Sequence, residues 1–214
     1  MKRVVIFDTG TGGGIFAEHF RKELEDTEII EVTDAEHAPY GGRSGWEIVQ
    51  LTEMALSEYL DKVDIIVLAC NTATVPAIET LRKKYPNQAF VGTEPGIKPA
   101  VELSKTGTIV VLATPATLGS DRYRELCDGG RGINICEADC ADWAKKIDEG
   151  WLTQDDIRKA LSPFEGENPD VVVLACTHYL AIPMEWIESV LPGATIYSPL
   201  EAITSRVREL LRQK

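Results

Sequence analysis

The chain has no apolar run longer than a β-strand. Its aliphatic stretches, such as Val4-Val5-Ile6-Phe7, Ile65-Ile66-Val67-Leu68 and Val171-Val172-Val173-Leu174, are soon interrupted by Asp, Cys or Thr, far short of the ~20 apolar residues of a membrane-spanning helix. Met1-Lys2-Arg3 leads into a strand-like run and a glycine-rich turn, not the apolar core of a signal peptide. The expected location is therefore the cytoplasm, away from any membrane. Positive charge is scarce, with 22 Lys and Arg against 34 Asp and Glu and a net charge of −12. That balance excludes binding to nucleic acid by counterion release. Five cysteines, an odd number with no C-x-x-C pair, argue against a disulfide framework. His19, His37 and His178 lack zinc-ligand spacing, so no metal is expected. Gly10-Thr11-Gly12-Gly13-Gly14 has neither the Gly-Lys-Ser/Thr of a P-loop nor G-x-G-x-x-G spacing. No lysine sits at a strand tip to hold pyridoxal phosphate, and no cofactor is expected.

What is present is a repeated strand ending. Asp64-Ile65-Ile66-Val67-Leu68-Ala69-Cys70-Asn71-Thr72 and Asp170-Val171-Val172-Val173-Leu174-Ala175-Cys176-Thr177-His178 share an Asp, an aliphatic run, Leu-Ala-Cys and polar residues after the thiol. A lone cysteine there reads as a small buried hydrophobe. Two in matched settings, at the strand ends where open α/β sheets bind ligands, read as a pair.

The rest of the chain alternates strand and helix signals. A strand over Lys2–Phe7 precedes the glycine turn, and a helix runs from about Ile15 to Leu24. A strand over Glu28–Thr33 leads to the turn Pro39-Tyr40-Gly41-Gly42, and a helix follows from about Gly45 to Leu60. Helix cues cover Thr72–Tyr85, with Pro76 placed in the first turn and Pro86 as a stop. Val91–Gly96 reads as a crossover, Thr108–Ala113 as a strand before the polar turn Thr114–Thr117, and Leu200–Leu211 as a terminal helix returning to the first half. Asp8 lies 62 residues before Cys70, and Thr114 lies 62 before Cys176, which favours two copies of one β-α unit. The expected fold is α/β, with two pseudo-symmetric lobes, each a mainly parallel sheet flanked by helices, and a site in the cleft between them. Residues 1–95 with 197–214 would form the first lobe, and 96–196 the second.

Two thiols on opposite sides of a ligand suit stereoinversion. One removes a proton from one face of a carbon and the other returns a proton to the opposite face. Enantiomers have equal free energy, so each group must serve as both acid and base. Both cysteines are expected to precede a helix N-terminus that pulls their pKa toward neutrality, and their titrations are coupled. Free N–H groups there, with Asn71, Thr72 and Thr177, could bind a carboxylate and stabilise a carbanion; helix capping is the equal alternative for both threonines. His178 reads as a proton relay or as a satisfied surface histidine, and Asp8 as a cap on the glycine loop or a partner for an α-ammonium group. Cys127, Cys136 and Cys140 read as structural.

Phe7-Asp8-Thr9-Gly10, Pro39-Tyr40-Gly41, Ala69-Cys70-Asn71-Thr72-Ala73, Glu94-Pro95-Gly96-Ile97-Lys98-Pro99-Ala100, Ala113-Thr114-Pro115-Ala116-Thr117 and Cys176-Thr177-His178-Tyr179 resemble, in order, the motifs of the glutamate racemase family within the aspartate/glutamate racemase superfamily. The resemblance implies cofactor-independent racemisation of glutamate that supplies D-glutamate for peptidoglycan. It implies that Cys70 deprotonates D-glutamate and Cys176 L-glutamate, assisted by Asp8 and His178. Asp8, Thr9, Pro39, Tyr40, Gly41, Asn71, Thr72, Thr114, Thr177 and His178 would hold the substrate. It further implies a homodimer, and some family members bind DNA gyrase. Aspartate or another acidic substrate is the nearest alternative, and Thr177-His178 in place of an acidic residue favours glutamate. A non-catalytic acidic binding protein would need neither thiol.

Three positions depart from the family pattern. Thr9 stands where Ser is usual. The acidic residue eight positions after a cysteine falls on Asp148, where Glu is usual, and Asp148 is left out of the candidate site. The stretch between Thr117 and Asp170 is also shorter than in typical members.

Overall fold

The computed structural model describes residues 1–130 and 132–213. The chain divides into two compact units, Met1–Glu94 with the segment from Leu200 onward, and Pro95–Pro199.

The first unit alternates β1 (Lys2–Asp8), α1 (Gly12–Glu23), β2 (Thr27–Thr33), α2 (Gly45–Leu56), β3 (Ile65–Leu68), α3 (Asn71–Lys84) and β4 (Ala89–Gly92). Its strands are all parallel in the order β2-β1-β3-β4, with Phe7 paired to Leu68 at the tips of the central strands. Alternation along each strand sends Val5, Phe7, Ile66 and Leu68 to one face, where residues of α2 and α3 complete a core. Val4, Ile6, Ile65 and Val67 are equally buried on the other face, so these strands read as continuous aliphatic runs.

The second unit contains α4 (Ile97–Leu103), β5 (Thr108–Leu112), α5 (Pro115–Leu118), α6 (Asp121–Gly129), β6 (Asn134–Glu137), α7 (Trp143–Asp148), α8 (Gln154–Leu161), β7 (Val171–Leu174), α9 (Met184–Glu188) and β8 (Thr195–Tyr197). The sheet is parallel in the order β6-β5-β7-β8, with Leu112 paired to Leu174. Val110, Leu112, Val172 and Leu174 join one core with Trp143, Ile157 and Tyr179, while Ile109, Val111, Val171 and Val173 join another with Ile97, Ala100, Tyr123 and Leu126. The last helix, α10 (Leu200–Arg212), packs on α1, β3 and β4, and Arg208 reaches the Glu23 carboxylate at 3.1 Å. Among the described residues, no helix is long and apolar enough to cross a membrane.

The two sheets thus share one strand order, second-first-third-fourth, which puts a topological switch point between their two central strands. Asp64 and Asp170, just before β3 and β7, repeat a smaller device. The Asp64 carboxylate accepts from Arg3 N–H at 2.8 Å, and that of Asp170 accepts from Lys105 and Thr106 N–H.

Several boundaries differ from the sequence expectations. α1 starts on Gly12 because the glycine run is helical from Thr11 onward. α2 stops at Leu56 rather than Leu60, and Asp61 then takes a positive φ of 58°. Pro76 lies in the second turn of α3, where it deprives the Thr72 carbonyl of its in-helix donor. Val91 and Gly92 finish β4 rather than opening a crossover. The matched spacing of 62 is also out of register. Ala69 N–H bonds Phe7 O and Ala175 N–H bonds Leu112 O, at 2.8 and 2.9 Å, so the structural counterpart of Thr114 is Thr9, not Asp8.

Candidate active site

In the first unit the candidate residues gather beyond the tips of β1 and β3. The loop leading into Cys70 is fastened by two buried threonines. The Thr74 hydroxyl donates to Leu68 O at 3.0 Å and Cys70 O at 2.8 Å, and the Thr93 hydroxyl donates to Leu68 O and Ala69 O at 3.3 and 3.0 Å. Thr74 N–H also bonds Cys70 O at 2.9 Å, beginning the ladder of α3. With its carbonyls committed in this way, the segment holds Cys70 in one place.

The thiol of Cys70 lies 3.3 Å from the Thr9 hydroxyl. Burial pushes the thiol up and the nearby Asp8 charge adds to this; the Thr9 hydroxyl and the N–H groups of Ala73 and Thr72 pull it down, and the outcome is about 11. The expectation of a pKa near neutrality therefore fails for Cys70. The helix N-terminus acts in the expected direction, but burial outweighs it. Two N–H groups foreseen for a substrate carboxylate are turned to the sulfur instead.

Asp8, fully buried, caps the glycine loop. Its Oδ1 accepts from Thr9 and Gly10 N–H at 2.6 and 3.0 Å. Gly13 passes so close that a Cβ there would stand 2.8 Å from the Asp8 Cβ. Asn71 is buried as the first residue of α3, and Thr72 follows it, half-buried.

Pro39, Tyr40 and Gly41 come next to α3 through a short 3-10 turn at Tyr40–Gly42. Tyr40 is buried beside Phe7 and donates its hydroxyl proton to Asp34 Oδ2 at 2.6 Å. Asp34 Oδ1 meets His37 Nδ1 at 2.7 Å, and Arg43 grips His37 O at 3.0 and 2.7 Å. Burial pushes the Asp34 carboxyl up, but the Tyr40 hydroxyl and His37 outweigh it and hold it below its ordinary value. Burial and the Asp34 carboxylate push the Tyr40 phenol far up. Sequence reading missed Asp34; the signal was an Asp six residues before Tyr40, a spacing a loop can fold back across.

In the second unit Cys176 follows β7 as Cys70 follows β3, two residues past the strand. What comes next differs. Thr177–Ala181 form a short 3-10 helix, not an α-helix, so the expected α-helix N-terminus behind Cys176 is not there. An imidazole takes its place. Cys176 Sγ lies 3.7 Å from His178 Nδ1, and His178 Nε2 lies 3.2 Å from Asp148 Oδ2. Asp148, left out at the sequence level, is thus the carboxylate at the far end of a thiol-imidazole-carboxylate row. Thr177 is buried next to the thiol. Thr114 caps α5, accepting from Thr117 N–H at 3.3 Å and lying 3.1 Å from the Thr117 hydroxyl. Cys136 and Cys140 are buried in the core of this unit, and Cys127 packs against its other core.

Chemically, each unit offers a thiol at a sheet switch point with a polar partner against the sulfur, a hydroxyl in one and an imidazole in the other. A model of the Asp/Glu/hydantoin racemase family matches residues 16–207. The chain is 34% identical over 221 residues to a glutamate racemase of Sulfurovum sp. (strain NBC37-1), across 99% of this chain and 83% of that protein. It is similar to the crystal structure of Escherichia coli glutamate racemase in complex with L-glutamate and an activator, with 29% identity, a TM-score of 0.90, and coverage of 100% of this chain and 83% of the other. Glutamate racemase from Aquifex pyrophilus is 32% identical at a TM-score of 0.77, across 97% of this chain and 83% of the other.

Proposed function

Because the chain belongs to the Asp/Glu/hydantoin racemase family, we propose that it interconverts L- and D-glutamate without a cofactor, by proton transfer at Cα between two cysteines. The observation that carries this reading is the repeated thiol, one beyond the third strand of each sheet, with a different polar partner on each sulfur. In a cell this activity supplies D-glutamate for peptidoglycan. A cytoplasmic homodimer acting on a free amino acid belongs to the same reading.

The mechanism follows from the two environments. With its pKa near 11, Cys70 rests as a thiol and is ready to act as an acid. His178, backed by the Asp148 carboxylate, can accept the Cys176 proton and leave a thiolate to act as base. L-glutamate then loses its α-proton to Cys176 and gains one from Cys70 on the opposite face. D-glutamate takes the reverse route from the form that this turnover leaves, in which Cys70 is the thiolate and acts as base and Cys176 is the thiol and acts as acid. Asn71, Thr72 and Thr177, with Tyr40, Gly41 and Thr114, bind the substrate's polar groups. Charge developing as the α-proton leaves is stabilised by these donors.

Purified protein incubated with L-glutamate in deuterium oxide, with no cofactor added, should lose optical rotation and exchange its α-proton. L-aspartate, run in parallel, should react far more slowly. Cys70→Ala and Cys176→Ala should each abolish racemisation. Full racemisation by either variant would refute the two-thiol mechanism, and absence of exchange with L-glutamate would refute the activity.

A further inference from the structure

Asp148 is the last residue of α7, and its side chain is 40% exposed. A short carboxylate in such a place has several rotamers open to it and reaches His178 only if the backbone beneath it is held. The structure holds it through Lys146, two residues upstream. Lys146 Nζ bonds Asp156 Oδ1 at 2.7 Å and Asp142 Oδ2 at 3.0 Å, and lies 5.4 Å from the centre of the Trp151 ring. Its carbonyl accepts from Trp151 N–H at 2.9 Å and Leu152 N–H at 3.3 Å. One residue therefore ties the N-cap of α7, the connecting turn and the first turn of α8, and Asp148 lies inside the turn so closed. Gly150, at a φ of 74°, allows the reversal.

An exposed ion pair contributes little. The Lys146 side chain is only 13% exposed and its ammonium is shared between two carboxylates beside an indole, so the geometry it enforces is specific. Asp156 is itself fixed by a capping box with Thr153, and the Lys146 ammonium and Thr153 hold its carboxyl at about 2. It stays charged, and the clasp stays closed, throughout the neutral range.

We propose that Lys146 is a positioning residue for proton transfer at Cys176, acting through Asp148 and His178. The inference rests on the racemase reading and assigns Lys146 to one of its two proton transfers, the one on the L-glutamate side.

The test must separate the two transfers. The equilibrium constant of a racemisation is one, so kcat/KM falls equally for both enantiomers in any variant and cannot tell them apart. Isotope effects can. With α-deuterated substrates, Lys146→Gln should raise the isotope effect on kcat/KM for L-glutamate, whose deuteron Cys176 removes, and lower it for D-glutamate, whose deuteron Cys70 removes. Turnover should fall by roughly tenfold, within the ~100-fold that a misplacement of an ångström can cost. Lys146→Arg should restore the wild-type pattern. Asp142→Asn, at a 59% exposed position, removes one arm of the clasp without threatening the fold and should move both isotope effects in the same directions, but less. In an Asp148→Asn background, Lys146→Gln should add nothing further.

Unchanged isotope effects in Lys146→Gln and Asp142→Asn, or additive losses in the double variant, would overturn the positioning role while leaving the racemase reading intact. Absence of α-proton exchange in the wild-type protein would instead overturn the racemase reading, and the positioning role with it.

Discussion

Cys70 and Cys176 are the same residue two positions past a strand, yet their immediate partners differ, and this governs how each can work. A hydroxyl against Cys70 can donate to a thiolate but has no base strength, whereas an imidazole against Cys176 can carry the proton away. Thr9→Val should therefore raise the Cys70 thiol above about 11, because the Thr9 hydroxyl is among the groups lowering it. Thiolate ultraviolet absorbance, taken as the difference between the protein and its Cys70→Ser variant, should show no Cys70 thiolate at neutral pH. It should rise toward pH 11, and later still in Thr9→Val; a half-point near neutrality would contradict the account. At this scale the two candidate thiols were legible in the sequence because Leu-Ala-Cys repeats, and His178 because it follows the second thiol by two residues. Asp34 and Lys146 were not, and Asp148 was picked out only by the family pattern and set aside, since each acts on a residue brought near by a turn whose course depends on packing. The pKa of Cys70 was expected too low for a related reason: a helix N-terminus is visible in a sequence, but the depth of burial that outweighs it is not.

Among the elements, the glycine turn between β1 and α1 and the segment between β3 and α3 do the positioning, and they are built in different ways. The first depends on what is missing, since Gly13 has no side chain to strike Asp8. The second depends on what is added, the hydroxyls of Thr74 and Thr93 on strand-end carbonyls. Alanine in place of glycine ordinarily stabilises a helix by about 0.5–1 kcal/mol. Gly14→Ala should do so, since its Cβ would meet only Glu31 Oε2 at 3.6 Å. Gly13→Ala should instead destabilise by about 1–3 kcal/mol through overpacking against Asp8 and slow turnover, as urea unfolding and an activity assay would show. Equal stabilisation by both would mean that the loop has slack. Strand and helix positions were largely readable from periodicity and Gly or Pro punctuation. The exception after β7 is instructive: Thr177-His178-Tyr179-Leu180-Ala181 has no helix breaker before Pro183, yet it makes only a 3-10 turn, because Tyr179 is drawn into the core against Trp143 and its hydroxyl bonds Cys140 O at 3.0 Å.

Over the whole molecule, the repeated sheet order was foreshadowed by the two Leu-Ala-Cys strand ends, although the equal spacing offered in support of it paired Thr114 with the wrong residue. The repeat extends to Asp64 and Asp170, and the second of these gives a pH signature. Burial pushes the Asp170 carboxyl up, but the Ser104 hydroxyl and the Lys105 and Thr106 N–H groups together bring it to about 2, from an ordinary 3.8. A carboxyl depressed in the folded state stabilises above its unfolded pKa, and that contribution is lost as pH falls through the folded one. Urea midpoints of Asp170→Asn should therefore lie below wild type by a constant amount at neutral pH, with the gap closing between about pH 4 and pH 2; a gap that persisted at pH 2 would assign the loss to geometry rather than charge. The course of the chain has a further consequence, in the order of synthesis. Residues 200–212 supply α10 to α1, β3 and β4, and all of residues 95–199 are made before them. A ribosome thus delivers every part of the second unit while the first is still waiting for its last helix, so the half that carries Cys70 is begun first and completed last.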